Sequence, residues 1–113
     1  MQAGKLDKRV TIQQRLMPVD TFGQAREVYE NAQWTDVATV WARVQPLSGR
    51  EFMEMRQQAA DITVKVIIRF REGIEPSMRI VWGPHTYDID SVIRIDAGQR
   101  ELQLMCRERV ADG

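Results

Sequence analysis

The sequence predicts an all-β domain, a small six-stranded antiparallel barrel or sandwich with one short helix and a long loop, and three observations carry that expectation. Over residues 61–71, Ile62, Val64, Val66, Ile68 and Phe70 alternate with Thr63, Lys65, Ile67, Arg69 and Arg71, the period of a strand with one buried and one wet face. The same period recurs at Val10, Ile12 and Leu16, at Ala38, Val40, Ala42 and Val44, and at Leu102, Leu104 and Cys106. The chain of 113 residues shows no internal repeat, low-complexity tract or linker, so 1–113 read as a single domain with its own core.

Taken in order, the first strand runs through Val10 and Ile12, with Gln14 interrupting the alternation before Leu16. Residues 17–34 hold Pro18, Asp20 and Gly23 and few paired apolar positions, which suggests a long excursion or a loose hairpin. In the next strand Val40, Ala42 and Val44 form a small apolar face. Trp41 points the other way, where covering the second side of the sheet is preferred over anchoring a neighbour.

Residues 48–60 break the pattern. Ser48-Gly49-Arg50-Glu51 has the capping-box spacing, in which a Ser side chain and a Glu three residues later satisfy each other's backbone N–H groups. Phe52, Met55, Arg56 and Ala59 follow at helical spacing, and Met53 and Met55 read as core filler in preference to soft contacts for a partner. Beyond the strand at 61–71, whose Ile62, Val64, Val66, Ile68 and Phe70 are expected inside and Lys65 and Arg69 outside, residues 78–82 and 87–95 form a hairpin about Gly83-Pro84-His85-Thr86. A last strand carries Leu102, Leu104 and Cys106.

Composition narrows the function. Lys plus Arg and Asp plus Glu both number 16, for a formal net charge of zero, so no long-range field draws nucleic acid or anionic lipid. Only Lys5, Lys8 and Lys65 are lysines. The arginine excess suits protein contacts, and genome composition accounts for it equally well. Cys106 is the only cysteine, which excludes an internal disulfide and every multi-cysteine zinc pattern. No signal peptide and no membrane-spanning apolar run is visible, and a soluble intracellular domain is expected.

Chemistry is sparse. His85 in the hairpin turn reads as a solvated residue with no second group to orient it as a base. Cys106 falls on the apolar side of its strand and reads as a small hydrophobe. Asp88 and Asp90, with Asp96 beyond, lack the glycine and terminal glutamate of a calcium loop, so salt bridges, with Arg79 as the expected partner, explain them better. No phosphate-binding glycine loop is present. No catalytic, cofactor or metal site is expected, and the protein is not expected to be an enzyme. Lys65, Arg69 and Arg71 form a basic row on one strand face, which reads as solvated or subunit-facing. A small nucleic-acid-binding barrel is the alternative.

Ala3-Gly4-Lys5-Leu6-Asp7-Lys8-Arg9-Val10-Thr11-Ile12-Gln13 at the start, then Val40-Trp41-Ala42-Arg43-Val44, Pro46-Leu47-Ser48-Gly49-Arg50-Glu51, Ile67-Ile68-Arg69-Phe70-Arg71, Gly73-Ile74, Pro76, Met78-Arg79-Ile80, Tyr87-Asp88-Ile89 and Leu102-Gln103-Leu104-Met105-Cys106 with Glu108 together resemble the phage head-tail joining proteins, also called head closure or stopper proteins. The resemblance covers nearly the whole chain in order. It implies a small barrel that forms a ring at the portal vertex of a tailed phage or prophage, closes the DNA-filled head and offers the tail its docking face. The implied partners are the adaptor or portal ring, tail completion proteins, further copies of the chain and packaged DNA near the channel, without a membrane. The implied location is the virion, and the host cytoplasm during assembly. Residues 45–61 correspond to the loop that reaches into the channel in that family. Candidate subunit or partner contacts are Arg43, Arg50, Glu51, Arg69 and Arg71, with Arg43 sharing the face of Trp41 and placed to meet an acidic side chain of an adjacent subunit.

Overall fold

Seven elements account for the structure, a computed structural model that describes residues 6–16, 33–56, 61–96, 98 and 100–109. They are β1 (Lys8–Leu16), β2 (Gln33–Pro46), α1 (Gly49–Met55), β3 (Val64–Arg69), β4 (Arg79–Trp82), β5 (His85–Ile95) and β6 (Glu101–Arg109). The strands close into an antiparallel barrel in the order β1-β2-β3-β6-β5-β4, so every strand has a hydrogen-bonded neighbour on each side. Most of the excursion expected at 17–34 lies outside the described residues, but Gln33 and Trp34 begin β2, which is longer than the 38–44 core of its pattern.

The alternating apolar residues fill the barrel. Val10, Ile12, Ala42, Val66, Ile68, Met78, Ile80, Tyr87, Ile89, Leu102, Leu104 and Cys106 form one buried cluster, with Val40, Val44, Val64 and Phe70 packed against it. Cross-strand register explains why they meet: Ala42 faces Ile68 and Ile68 faces Leu102, while Val44 faces Val66 and Val66 faces Leu104. A barrel of six strands is narrow enough for side chains alone to fill it. Cys106 is fully buried there, and burial pushes its thiol pKa up to about 12.

Two bulges change the phase of the pattern. Ile12 faces Ala38 and Gln13 faces Asp36, which leaves Val37 as the extra residue of β2. In β5, Ile89 faces Cys106 and Ser91 faces Met105, so Asp90 is the extra residue. An inserted residue exchanges the two faces of everything beyond it. Uninterrupted alternation from Tyr87 would carry Ile93 and Ile95 inward. Instead Val92 packs on the core and Ile93 stands 43% exposed outside.

Several expectations are corrected. Ile67, on the supposedly wet face of β3, is 1% exposed, and Met105 across from Lys65 is 5% exposed. Both lie outside the interior cluster. Lys65 is not a free surface charge, because its ammonium lies 2.5 Å from Glu51 with most of its side chain covered. Phe70 follows β3 rather than belonging to it, half-buried with the guanidinium of Arg94 4.4 Å and that of Arg100 5.3 Å from its ring centre. Trp41 does not seal the outer side of the sheet: it is 52% exposed.

The helix has the expected start. The Ser48 hydroxyl accepts from the Glu51 N–H (3.2 Å), and the Glu51 carboxylate accepts from the Ser48 N–H (2.9 Å). It has no buried residue, so its apolar stripe is not core, and Met53 is exposed. The helix ends at Met55 with Arg56 as C-cap, and Ala59 lies outside the described residues. Leu47 donates to the Thr63 carbonyl and Thr63 to that of Cys106, which holds both ends of this connection to the β2-β3-β6 ladder. The hairpin loop is tighter than four residues. Trp82 pairs with His85, leaving Gly83 and Pro84, and Gly83 takes φ 57° where a two-residue loop demands glycine.

Three outcomes follow. Val66→Asp places an unpaired carboxylate in the barrel centre and should leave the protein unfolded or insoluble, as read by circular dichroism and soluble yield; a normally stable variant refutes the core assignment. Ser48→Ala should cost about 1 kcal/mol, seen as a lower urea midpoint with unchanged slope. The Lys65 ammonium holds the Glu51 carboxyl below its ordinary pKa, so the stability it contributes is full above that ordinary range and drains as pH falls through the lowered value. The deficit of Glu51→Gln against the unmodified protein should therefore be largest near neutrality and vanish in acid.

Candidate contact surfaces

The charged side chains sort into those occupied within the chain and those left over. At the end of the barrel where β6 finishes, Arg107 donates to Asp61 at 2.7 Å and to Asp90 at 2.9 Å, while Arg109 grips both oxygens of Asp88 at 3.1 Å. The bulge brings Asp90 to Arg107. Arg107 keeps the Asp61 carboxyl below its ordinary pKa, and Asp61 in turn raises that of Arg107. Asp88 thus pairs with Arg109 and not with Arg79, whose Nε donates to Gln13 at 2.8 Å while its guanidinium lies 4.0 Å from the ring centre of Trp34. Asp96 pairs with Arg94 at 2.8 Å.

His85 is less solvated than a bare turn residue. Its ring stacks between Trp82 and Tyr87, with centroids 5.4 and 6.1 Å away, and its Nδ1 is 2.9 Å from a Glu108 carboxylate oxygen. Among the described residues no three His, Cys, Asp or Glu side chains cluster as metal ligands, and no helix is long and apolar enough to cross a membrane.

The five candidate contact residues fall at three places. Arg50 projects from α1 with its side chain 90% exposed, loosely paired with Glu54 at 3.7 Å. Glu51 beside it is committed to the cap and to Lys65. Arg69 and Arg71 are exposed at the opposite end of β3, about 20 Å away by strand rise. Arg43 lies on the outer face of β2 opposite Ile67, half-buried, its Nε shielded from water with no acceptor among the described residues.

What sequence reasoning missed lies on the outer wall of the barrel. Trp41 stands exposed beside Arg43 on β2, and the Arg9 guanidinium of β1 lies 5.0 Å from its ring centre. Round the barrel, the half of β5 past Asp90 presents Ile93 and Ile95, flanked on β6 by Gln103 and Glu101. The alternation that places Trp41 outside was legible; its exposure depends on no other element covering it. The basic row is broken, because Ile67 is buried within it and Lys65 is neutralised by Glu51.

A barrel whose inside is full and whose charges mostly answer one another offers surfaces for contact, and the proteins it resembles match that character. Residues 1–109 match the family model for phage head completion protein. The head completion protein gp7 of Enterobacteria phage HK97 is 29% identical over 112 residues, covering 95% of this chain and 96% of the relative. The solution structure of protein SF1141 from Shigella flexneri 2a superposes with a TM-score of 0.76 at 31% identity, covering 96% of both chains. A chain from the virion of a native gene transfer agent particle shares the fold, with a TM-score of 0.66 at 21% identity over 96% of this chain and all of that one. This chain belongs to the phage head completion protein family and is a structural protein of head closure.

Proposed function

We propose that the protein acts as a ring at the portal vertex, stacked between the adaptor or portal ring and the tail, where it retains packaged DNA and gives the tail its docking face. The observation that carries this reading is the family match along nearly the whole chain, on a barrel filled by its own side chains. Such a protein works by contact and not by catalysis, and the self-paired charges agree with that. Cys106, the one thiol, is buried with its pKa raised to about 12, which denies it the thiolate that nucleophilic catalysis needs. Assembly takes place in the host cytoplasm before the protein becomes part of the virion.

The contact residues divide by position. Arg50 on the exposed face of α1 meets a partner ring, with Glu51 holding the helix that presents it. Arg69 and Arg71 serve the opposite end of the barrel, and Arg43 serves a lateral neighbour. Isolated subunits associate weakly and close into a ring on the adaptor as template, because a ring formed ahead of the portal would be out of order. The nucleic-acid alternative loses one of its three cations with the pairing of Lys65, while Arg69 and Arg71 stay exposed.

The test is genetic and structural. Particles assembled without this protein should be DNA-filled heads that leak or lack tails under the electron microscope, whereas normal infectious particles overturn the reading. Arg50→Glu should leave the fold unchanged by circular dichroism and lower the yield of tailed particles; an unchanged yield removes Arg50 from the contact. Cys106 should resist alkylation in the native protein and react fully once it is unfolded in urea, and ready native labelling would contradict its burial.

A further inference from the structure

We propose that neighbouring copies meet through two different faces: the Trp41, Arg9 and Arg43 face of β1 and β2 on one copy, and the Ile93, Ile95 and Glu101 face of β5 and β6 on the next. The inference rests on the ring reading and supplies the surfaces that reading lacks. A ring requires a heterologous contact, in which two unlike patches of one molecule fit each other. In the closed order β1-β2-β3-β6-β5-β4, β2 and β5 are three strands apart in either direction, so these patches lie on opposite flanks of the barrel. One copy can therefore hold a neighbour on each side.

The two faces also complement each other chemically. On the first, Trp41 is exposed under the Arg9 guanidinium, and Arg43 holds a shielded Nε–H without an acceptor among the described residues. Trp and Arg are the side chains that dominate protein interfaces. On the second, the Asp90 bulge turns Ile93 and Ile95 outward, and Glu101 beside Ile95 makes no ion pair among the described residues. Apolar surface meets apolar surface, and the carboxylate of Glu101 meets the guanidinium groups of Arg9 and Arg43. A second copy of the chain thus fits both faces at once. Each contact is small beside a standard interface, which suits subunits that associate weakly until a template aligns them.

The test uses the full chain carrying either Trp41→Cys or Ile93→Cys, both at exposed positions, with Met53→Cys on α1 as the control for random collision. Under mild oxidation a mixture of the Trp41→Cys and Ile93→Cys proteins should form disulfide-linked dimers on denaturing gels. Each alone should form no more than the control, and the double variant should give a ladder of oligomers. Dimers from Trp41→Cys alone above the control indicate two-fold pairing and overturn the proposal. A mixture that does not exceed the control also overturns it, and glutaraldehyde on the unmodified protein then separates the two levels. Captured oligomers leave the ring reading standing with other surfaces, and monomer alone, even on purified adaptor rings, removes the ring reading as well.

Discussion

The shortest ladder in the molecule decides its architecture. β4 pairs with β1 over three positions, from Thr11 opposite Val81 to Gln13 opposite Arg79. Without it the remaining strands would be an open sheet with two edges and one apolar face toward water. With it, Ile12 and Ile80 face each other inside a closed wall, and both are fully buried. The Gln13 side chain that accepts from Arg79 also donates to Asp36 on β2, so one residue of β1 is tied to both of the strands beside it. Everything outside depends on this: a closed wall has an outer surface with fixed positions, and the loops and helix are displayed from a frame that does not slip.

Much of that frame was legible because side-chain alternation is a direct consequence of the pleat. Val10, Ile12, Ala42, Val66, Ile68, Leu102, Leu104 and Cys106 are buried where their spacing puts them. Ser48 and Glu51 form their cap at the spacing the sequence gives them, although the hold of Lys65 on Glu51 was not legible there. The misses share a cause. Ile67 and Met105 are covered, Trp41 is bare, and Lys65 is paired, and each outcome depends on which distant segment lies over a given spot. No local pattern encodes that. Asp88 and Asp90 were correctly read as ion-pair residues, but the partner was misassigned. A diagonal to Arg109 on β6 is nearer in charge geometry than the directly opposite Arg79 on β4.

For the candidate contact residues the sequence suggested a kind of side chain and not a place. Arginine-rich, lysine-poor composition pointed to protein contacts, and the candidates Arg43, Arg50, Glu51, Arg69 and Arg71 proved to be spread over the two ends and one flank. Three of the remaining arginines serve the fold instead: Arg107 and Arg109 neutralise the acidic row of β5, and Arg79 stacks on Trp34. In a chain with no net charge, an arginine not answered internally is the informative one, and only the three-dimensional arrangement separates the two groups.

The extra residue at Asp90 has a consequence for how such a surface changes. One inserted residue leaves Tyr87 and Ile89 inside, keeps Val92 in the core, and turns two isoleucines to the outside. Because the half of β5 past Asp90 pairs with β6 alone, the change is absorbed within that half and is not passed on to β4. A barrel of this kind can therefore redraw one flank by gaining or losing a single codon while its interior stays filled. That is a far smaller genetic step than replacing each outward residue in turn, and it offers a route by which a docking protein could follow a partner whose own face has drifted.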